Sequence, residues 1–476
     1  MEILTGRTPL LAAATAAVLF VAGCASTILP KQPNVGLLYS RAARNHGPER
    51  NPVIVIPGLT GSNLVDGITK RVVWGTLGGN YASPSRPGDA RIIALPMREG
   101  APLRELTDDV HSNGVLDRLR VKVLGIPINL DAYFYILQAL GVGGYRDESL
   151  ALAENVDWGE EHFTCFQFDY DWRRDNVENA QRLHRFIEEK RAYVRAEMLK
   201  RYGVDRPNLK FDVVSHSMGG LLLRYYLRYG AADLPEDGSN PTVTWAGADV
   251  IERAVFVATP NAGTIEAVVN LVEGQNYPPF AAYPPAILGT FPSGYQMLPR
   301  GRHGMLLENG EPIPDPFDPA LWQRMGWGLA APEAEEILGW LLPYEEPAAR
   351  RRIALDHQAK VLARARQFTS ALDQPAARPE GLDVFLVVGD ARPTPRTATY
   401  NPETRKINVL SYRPGDSKVL RSSALLDERM DGSETPYLRS PVDWTSVMFL
   451  PAAHLELTQG AVFTDNLLYW LLEDPR

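Results

Sequence analysis

The chain is 476 residues long, with 45% hydrophobic and 22% charged residues and a formal net charge of −8. That length suits one large α/β enzyme or two domains, and an ordinary composition without blocks of like charge argues against intrinsic disorder. An acidic balance with no clustered Lys and Arg sets nucleic acid aside as a partner, because phosphate-backbone binding draws most of its affinity from such clusters.

The first residues read as an export signal. Arg7, partly offset by Glu2, precedes a nearly unbroken apolar run from Leu10 to Gly23 that ends in Val21-Ala22-Gly23-Cys24. The run is shorter than the ~20 residues a membrane-spanning helix needs, but it fits the apolar core of a signal peptide. Its ending resembles the lipobox of bacterial lipoproteins. That resemblance implies removal of residues 1–23, a diacylglycerol on Cys24, and a lipid-anchored place at the membrane in the cell envelope. No acidic residue directly follows Cys24, which by the same resemblance favours the outer membrane. The other cysteine, Cys165, lies in the apolar run Phe163-Thr164-Cys165-Phe166. With Cys24 lipidated no disulfide is expected, and Cys165 reads as a small buried hydrophobe.

From Ala25 to about Arg50, Pro30, Pro33, Gly47 and Pro48 punctuate a stretch without periodicity, so residues 24–50 read as the lipidated end and a tether. The folded part, 51–476, opens on Pro52-Val53-Ile54-Val55-Ile56-Pro57-Gly58, a continuous β-branched run closed by Pro-Gly, as in a strand buried on both faces. Comparable runs recur at Phe163 to Phe168, Phe211 to Ser215, Val255 to Ala258 and Val384 to Val388. Val177 to Tyr202 is a long amphipathic helix, with Asp175 and Asn176 as candidate caps and a stop at Gly203. Buried strands alternating with helices predict a doubly wound, mostly parallel α/β sheet. From about Leu271 to Pro379 the rhythm breaks into Pro-rich loops and helical patterns around Pro332 to Leu342 and Ala348 to Phe368. This stretch reads as a helical and irregular cap inserted over the sheet.

The chemistry gathers around Phe211-Asp212-Val213-Val214-Ser215-His216-Ser217-Met218-Gly219-Gly220, a strand, a sharp turn and the start of a helix that runs to a stop at Gly230. In a nucleophile elbow the serine occupies that turn in a strained conformation, and small neighbours let strand and helix approach. Gly219 and Gly220 supply them, while Ser215 stands where G-x-S-x-G has its first glycine. This is the signature of the α/β-hydrolase fold, with Ser217 as nucleophile. An unassisted hydroxyl is a poor nucleophile, so a base is required, and this fold presents its partners in the chain order Ser, Asp or Glu, His. Of the eight histidines only His303, His357 and His454 follow Ser217. His303 lies in a Gly-rich cap loop and His357 on an amphipathic helix, where it is expected at the surface. His454, in Leu450-Pro451-Ala452-Ala453-His454-Leu455 just before the last helix near Ala461 to Leu472, sits where the fold places its base. For the acid, Asp416 and Asp431 compete, with Asp390 as a third candidate. Asp416 follows the strand-like Ile407 to Tyr412 and precedes an apolar anchor, Val419, three residues on, which favours it over Asp431. The oxyanion of an acyl transfer needs fixed N–H donors worth ~3 kcal/mol each. Met218 after the nucleophile and Leu59 after the first strand are the candidates.

Taken in order, these segments resemble the lecithin:cholesterol acyltransferase family, which includes lysosomal phospholipase A2 and bacterial and plant relatives. Pro52 to Leu64 is similar to its opening strand and oxyanion loop, Phe168-Asp169-Tyr170-Asp171-Trp172-Arg173 to its Tyr-Asp-Trp-Arg segment, and Ser215 to Gly220 to its His-Ser-Met-Gly-Gly elbow. Thr259 to Thr264 and Pro393 to Thr397 are similar to its Thr-Pro-x-x-Gly turn and Pro-Thr-Pro stretch. Gly415 to Leu420 aligns with its Gly-Asp-Gly-Thr-Val-Pro acid loop, which again selects Asp416. The departures are Ser417 and Lys418 for Gly-Thr, Leu420 for Pro, and no cysteine pair for the disulfide loops of secreted animal members. The resemblance implies a serine-dependent hydrolase or O-acyltransferase acting on a lipid ester, with water or a lipid alcohol as acceptor; a carboxylesterase of soluble or polymeric esters and a non-catalytic surface-binding lipoprotein on the same fold are the alternatives. Trp172 would then pack the acyl site, and Arg173 would pair with a phosphate or a structural carboxylate. Trp322, Trp327, Trp340 and Leu341 of the cap are either acyl-chain surface or cap core. No metal-ligand cluster or phosphate-cradling loop is visible, so no cofactor is expected.

Overall fold

The unbroken Val53–Ile56 run is a central strand because helices cover both of its faces. Val53 and Val55 pack against the Phe134–Val142 and Ala461–Leu468 helices, and Ile54 and Ile56 against the Asn176–Tyr202 and Met218–Tyr229 helices. The computed structural model describes residues 32–75, 80–116, 118–123, 126–131, 133–153, 155–277, 281–429 and 435–475. The export-signal segment 1–23, Cys24 and Asp431 lie outside the described residues.

Six strands build the central sheet: β1 (Val53–Ile56), β2 (Cys165–Gln167), β3 (Phe211–His216), β4 (Ile251–Val257), β5 (Asp383–Gly389) and β6 (Ser446–Leu450). Their spatial order is β6-β5-β4-β3-β1-β2, and every pairing between neighbours is parallel. The chain leaves β1 toward one edge, returns on its other side at β3 and then steps outward. The crevice at the carboxyl ends of β1 and β3 is therefore the topological switch point, where open α/β sheets bind their ligands. The long helix behaves as its sequence predicts: Asp175 caps it by accepting from the Val177 N–H, and Gly203 ends it in the left-handed region at φ 66°.

Three parts of the fold differ from the expectation. The stretch read as a tether is folded onto the domain from Val35 on. Tyr39 is buried and donates to the Asp465 side chain at 2.9 Å, and the Arg50 guanidinium lies 3.9 Å from the Tyr145 ring centroid. Between β1 and β2 an excursion carries a three-stranded antiparallel sheet, Ser62–Asp66, Val72–Trp74 and Val110–Val115, and the Arg118–Val123 and Ile126–Asp131 hairpin. The cap extends past residue 379. The predicted helices are present as Ala334–Leu341 and Pro347–Asp373, but Met305–Glu308 pairs in parallel with Arg392–Asn401, which pairs in turn with Lys406–Gly415. The strand before Asp416 thus belongs to the cap's sheet rather than to the central one.

Candidate active site

Ser217 closes β3 and caps the Met218–Tyr229 helix at φ 53° and ψ −126°, a strained conformation for a residue with a side chain. Its N–H donates to the Val257 carbonyl at 2.8 Å, which pins the turn to β4. The neighbours must be small. A Cβ on Gly58 would stand 2.8 Å from the Ser217 Cβ, one on Gly219 would strike the Pro57 carbonyl, and one on Gly220 the Thr259 side chain. Ser215 is fully buried and donates its hydroxyl to the Val255 carbonyl at 3.2 Å, so the sheet absorbs the polarity that glycine would not have brought.

The loop after β6 delivers His454, whose Nε2 lies 3.0 Å from Ser217 Oγ. Its Nδ1 lies 2.8 Å from Asp416 Oδ2, and its backbone N–H donates to the Asp416 carbonyl at 2.9 Å. The other carboxylate oxygen, Oδ1, accepts from the Lys418 and Val419 N–H groups at 2.9 and 2.7 Å. Burial by itself would raise the Asp416 carboxyl, but His454 and these two N–H donors outweigh it and hold the group below its ordinary value. Ser217, Asp416 and His454 are thus brought together from three distant segments. A hydroxyl, an imidazole and a buried carboxylate in series can move a proton off Ser217 Oγ and stabilise the resulting imidazolium.

Neighbouring elements buttress the acid loop. Ser417, in the place of the family's glycine, sits at φ 80°, a conformation glycine adopts without strain, and is held there by its N–H bond to Thr394 Oγ1 at 2.9 Å. Thr394 is the middle of the Pro-Thr-Pro stretch, which accounts for that motif. Asn261 and Ala262 of the Thr-Pro-x-x-Gly turn bond to the Ala424 carbonyl and Ser423 Oγ at 2.7 and 3.1 Å, and Thr264 bonds to the Lys418 carbonyl at 2.5 Å.

The loop after β1 is equally constrained. The Gly58 N–H donates to Tyr133 Oη at 2.6 Å, and the Tyr170 hydroxyl donates to the Pro57 carbonyl at 2.8 Å. This leads directly into Leu59, and the first N–H of the helix that follows the nucleophile, at Met218, has no intrahelical acceptor. Beyond Leu59 lies an apolar cavity lined by Trp74, Trp172, Leu271, Tyr283, Phe291 and Met297, among others. Trp172 stands edge-on to Trp74 and Phe291, with centroids 5.7 and 5.9 Å away.

Arg173 is different from the substrate contact considered for it. Its side chain is fully buried, holds Asp171 and Asp108 at 2.7 Å each, and donates to the Ile93 carbonyl at 2.7 Å. The structural-carboxylate alternative is the one observed, because a buried guanidinium must be neutralised where it lies. Trp322 and Trp327 are buried against each other, 5.6 Å between centroids, in the cap's core rather than at the cavity. His357 is not at the surface. It is buried and bonds through Nε2 to the Thr290 carbonyl at 3.1 Å, and burial pushes its pKa down to about 4. His303 is also buried, away from Ser217 in the loop that carries Arg302. Two residues around the site lie outside the sequence reading. Tyr133 has no motif around it, and Trp74 sits in the unanticipated excursion.

Residues 132–311 match the family model described as lecithin:cholesterol acyltransferase. A curated relative, lecithin-cholesterol acyltransferase-like 4 of Arabidopsis thaliana, is 26% identical over 192 residues, or 38% of this chain and 31% of the relative, so the chain spans about a third of the relative's length. Among solved structures, that of the Tle4–Tli4 complex is similar at TM-score 0.52 and 15% identity, covering 89% of this chain and 98% of the other. Lipase 1 from Pelosinus fermentans superposes more loosely, at TM-score 0.33 and 13% identity over 90% of this chain and 99% of the other, and nothing rests on it. The parallel sheet with helices on both faces is an α/β-hydrolase fold, and over residues 132–311 the chain is similar to the lecithin:cholesterol acyltransferase family.

Proposed function

We propose that this chain is a serine-dependent acyl hydrolase or O-acyltransferase of ester lipids that works through an acyl-enzyme on Ser217. His454 takes the Ser217 proton as Oγ attacks the ester carbonyl, and Asp416 keeps the proton of the imidazole on Nδ1 and stabilises its charge. The Leu59 and Met218 N–H groups hold the oxyanion. His454 then protonates the leaving alcohol, and water or a lipid alcohol, deprotonated by the same imidazole, removes the acyl group from Ser217. The observation that carries the reading is the hydrogen-bonded series from Ser217 Oγ through His454 to Asp416, at 3.0 and 2.8 Å, across the mouth of the switch-point crevice. The apolar side chains beside Leu59, Trp172 among them, favour an ester with an apolar acyl group over a polar one.

The test is product analysis. The chain is incubated with radiolabelled phospholipid and a lipid alcohol, beside a Ser217→Ala control. Labelled ester of the alcohol identifies a transferase, and free fatty acid alone identifies a phospholipase. Ser217-dependent cleavage confined to short soluble esters contradicts the lipid assignment. The Val-Ala-Gly-Cys ending supports a lipid-anchored location in a bacterial envelope. A Cys24→Ser chain is then expected to leave the membrane pellet, and an unchanged distribution contradicts the anchor.

A further inference from the structure

His216, immediately before the nucleophile, points away from the crevice, and the mechanism above does not use it. It is buried, and burial together with the neighbouring His454 ring pushes its pKa down to about 3, so it is a neutral imidazole near pH 7. A neutral ring has one donor and one acceptor. Nε2 lies 3.2 Å from the backbone carbonyl of His454, which can only accept, so the hydrogen is on Nε2. Nδ1 is then the acceptor, 3.4 Å from Tyr133 Oη. That hydroxyl already accepts the Gly58 N–H at 2.6 Å, which leaves its own hydrogen for Nδ1. Tyr133 is 2% exposed and meets the His216 ring edge-on at 5.6 Å. The bonds run in one sense: Gly58 N–H to Tyr133 Oη, Tyr133 O–H to His216 Nδ1, His216 Nε2–H to the His454 carbonyl.

We propose that Tyr133 and His216 are positioning residues, a buried relay that ties the loop bearing the Leu59 oxyanion donor to the loop bearing the His454 base and so fixes the distance between them. Neither side chain touches the substrate. The two groups they join come from opposite sides of the nucleophile: Gly58 follows β1, and His454 follows β6 at the sheet's far edge. Among the described residues no backbone pairing joins the strands that carry those loops, and the relay does so through two side chains. Its role rests on the acyl-transfer reading, because it positions groups to which that reading gives work.

Tyr133→Phe removes the hydroxyl with little change of shape. It is expected to lower kcat on a p-nitrophenyl ester on the order of 10- to 100-fold, with KM within threefold, as loss of fine placement rather than of binding does. His216→Leu should do the same, and His216→Gln, which keeps an N–H able to reach the His454 carbonyl, should retain more activity than His216→Leu. The Tyr133→Phe and His216→Leu losses should not multiply in the double variant, since either break disables one relay. A kcat within twofold of the parent in both single variants, with thermal midpoints unchanged, overturns the proposal, as do losses that multiply. A second measurement reads the relay without activity: nitrogen-15 spectra of the histidine-labelled chain, with His216 assigned through His216→Gln. A ring bearing one proton, on Nε2, at pH 7 is expected, and a proton on Nδ1 overturns the relay. Where the parent itself shows no Ser217-dependent turnover, the acyl-transfer reading is what has failed, and the spectra alone decide whether the relay exists.

Discussion

Replacing Asp416 with asparagine is expected to cut kcat on a soluble ester by about four orders of magnitude while leaving the fold in place. Oδ1 of Asp416 accepts from the Lys418 and Val419 N–H groups, and Oδ2 faces His454 Nδ1 at 2.8 Å. Asparagine keeps its carbonyl oxygen toward the two backbone donors, because an NH2 turned that way would face N–H groups. Its NH2 then stands in place of Oδ2 and donates to Nδ1. The imidazole must carry its hydrogen on Nε2, where it meets the Ser217 hydroxyl as a donor instead of a base. A wrong tautomer of this kind costs about 10⁴ in kcat in a serine hydrolase, or about 5 kcal/mol at roughly 1.4 kcal/mol per tenfold. The two backbone bonds survive, so folding stability should change by no more than about 1 kcal/mol. The assay is the initial rate of p-nitrophenyl butyrate hydrolysis from pH 6 to 9, with the thermal midpoint measured on the same samples. A variant with an unaltered midpoint and a kcat within tenfold of the parent refutes Asp416 as the group that orients the base.

Three further outcomes follow from the same geometry. Arg173→Met leaves the buried Asp171 and its neighbour Asp108 with Arg174 as their remaining guanidinium partner and should destabilise the chain by about 3 kcal/mol in a urea titration, with KM for phospholipid unchanged in the folded fraction; a normal urea midpoint with a raised KM would return Arg173 to the substrate. Gly219→Ala drives a methyl group toward the Pro57 carbonyl and should cost about 1–3 kcal/mol together with most of the activity, because the same displacement moves the loop before Leu59; a stable, fully active variant contradicts the tight elbow. The Asp416 carboxyl is held below its ordinary value of 3.8, so its contribution to stability is present above that pH and is lost as pH falls through the lower folded value. The parent should therefore lose stability more steeply than Asp416→Asn below about pH 4, and parallel pH curves contradict the depressed carboxyl.

Much of the sheet and the candidate site is legible in the sequence, for reasons that particular residues make clear. Val53 to Ile56 and Phe211 to His216 read as continuous runs because helices bury them on both faces. His454 follows from chain order, since few histidines come after Ser217. Asp416 follows from the apolar residue three positions on: Val419 is buried and its N–H is one of the two that hold the carboxylate. The rest depends on contacts between distant segments. Arg173 looks like a free cation in its motif because one of its partners, Asp108, lies 65 residues away. His357 lies on a helix of mixed character, and only the packing of Thr290 against it decides which side is inside. The excursion between β1 and β2 is made of short, half-buried strands with weak alternation, and Lys406–Gly415 pairs with a cap strand instead of the central sheet, a choice its own residues do not encode. β6 did leave a signal, Val447-Met448-Phe449-Leu450, muted by an edge position that leaves much of it exposed. Tyr133 carried none, since its role is defined by two hydrogen bonds to segments far along the chain.

Acyl transfer through Ser217 is the step on which the proposed function turns. The direct measurement is rapid acid quenching during turnover of a long-chain p-nitrophenyl ester, followed by mass spectrometry of the peptide that contains Ser217. One acyl group on Ser217 is expected, formed with a burst of nitrophenol and absent in Ser217→Ala. Steady turnover that persists in Ser217→Ala, or an acyl group carried on another residue, would contradict it.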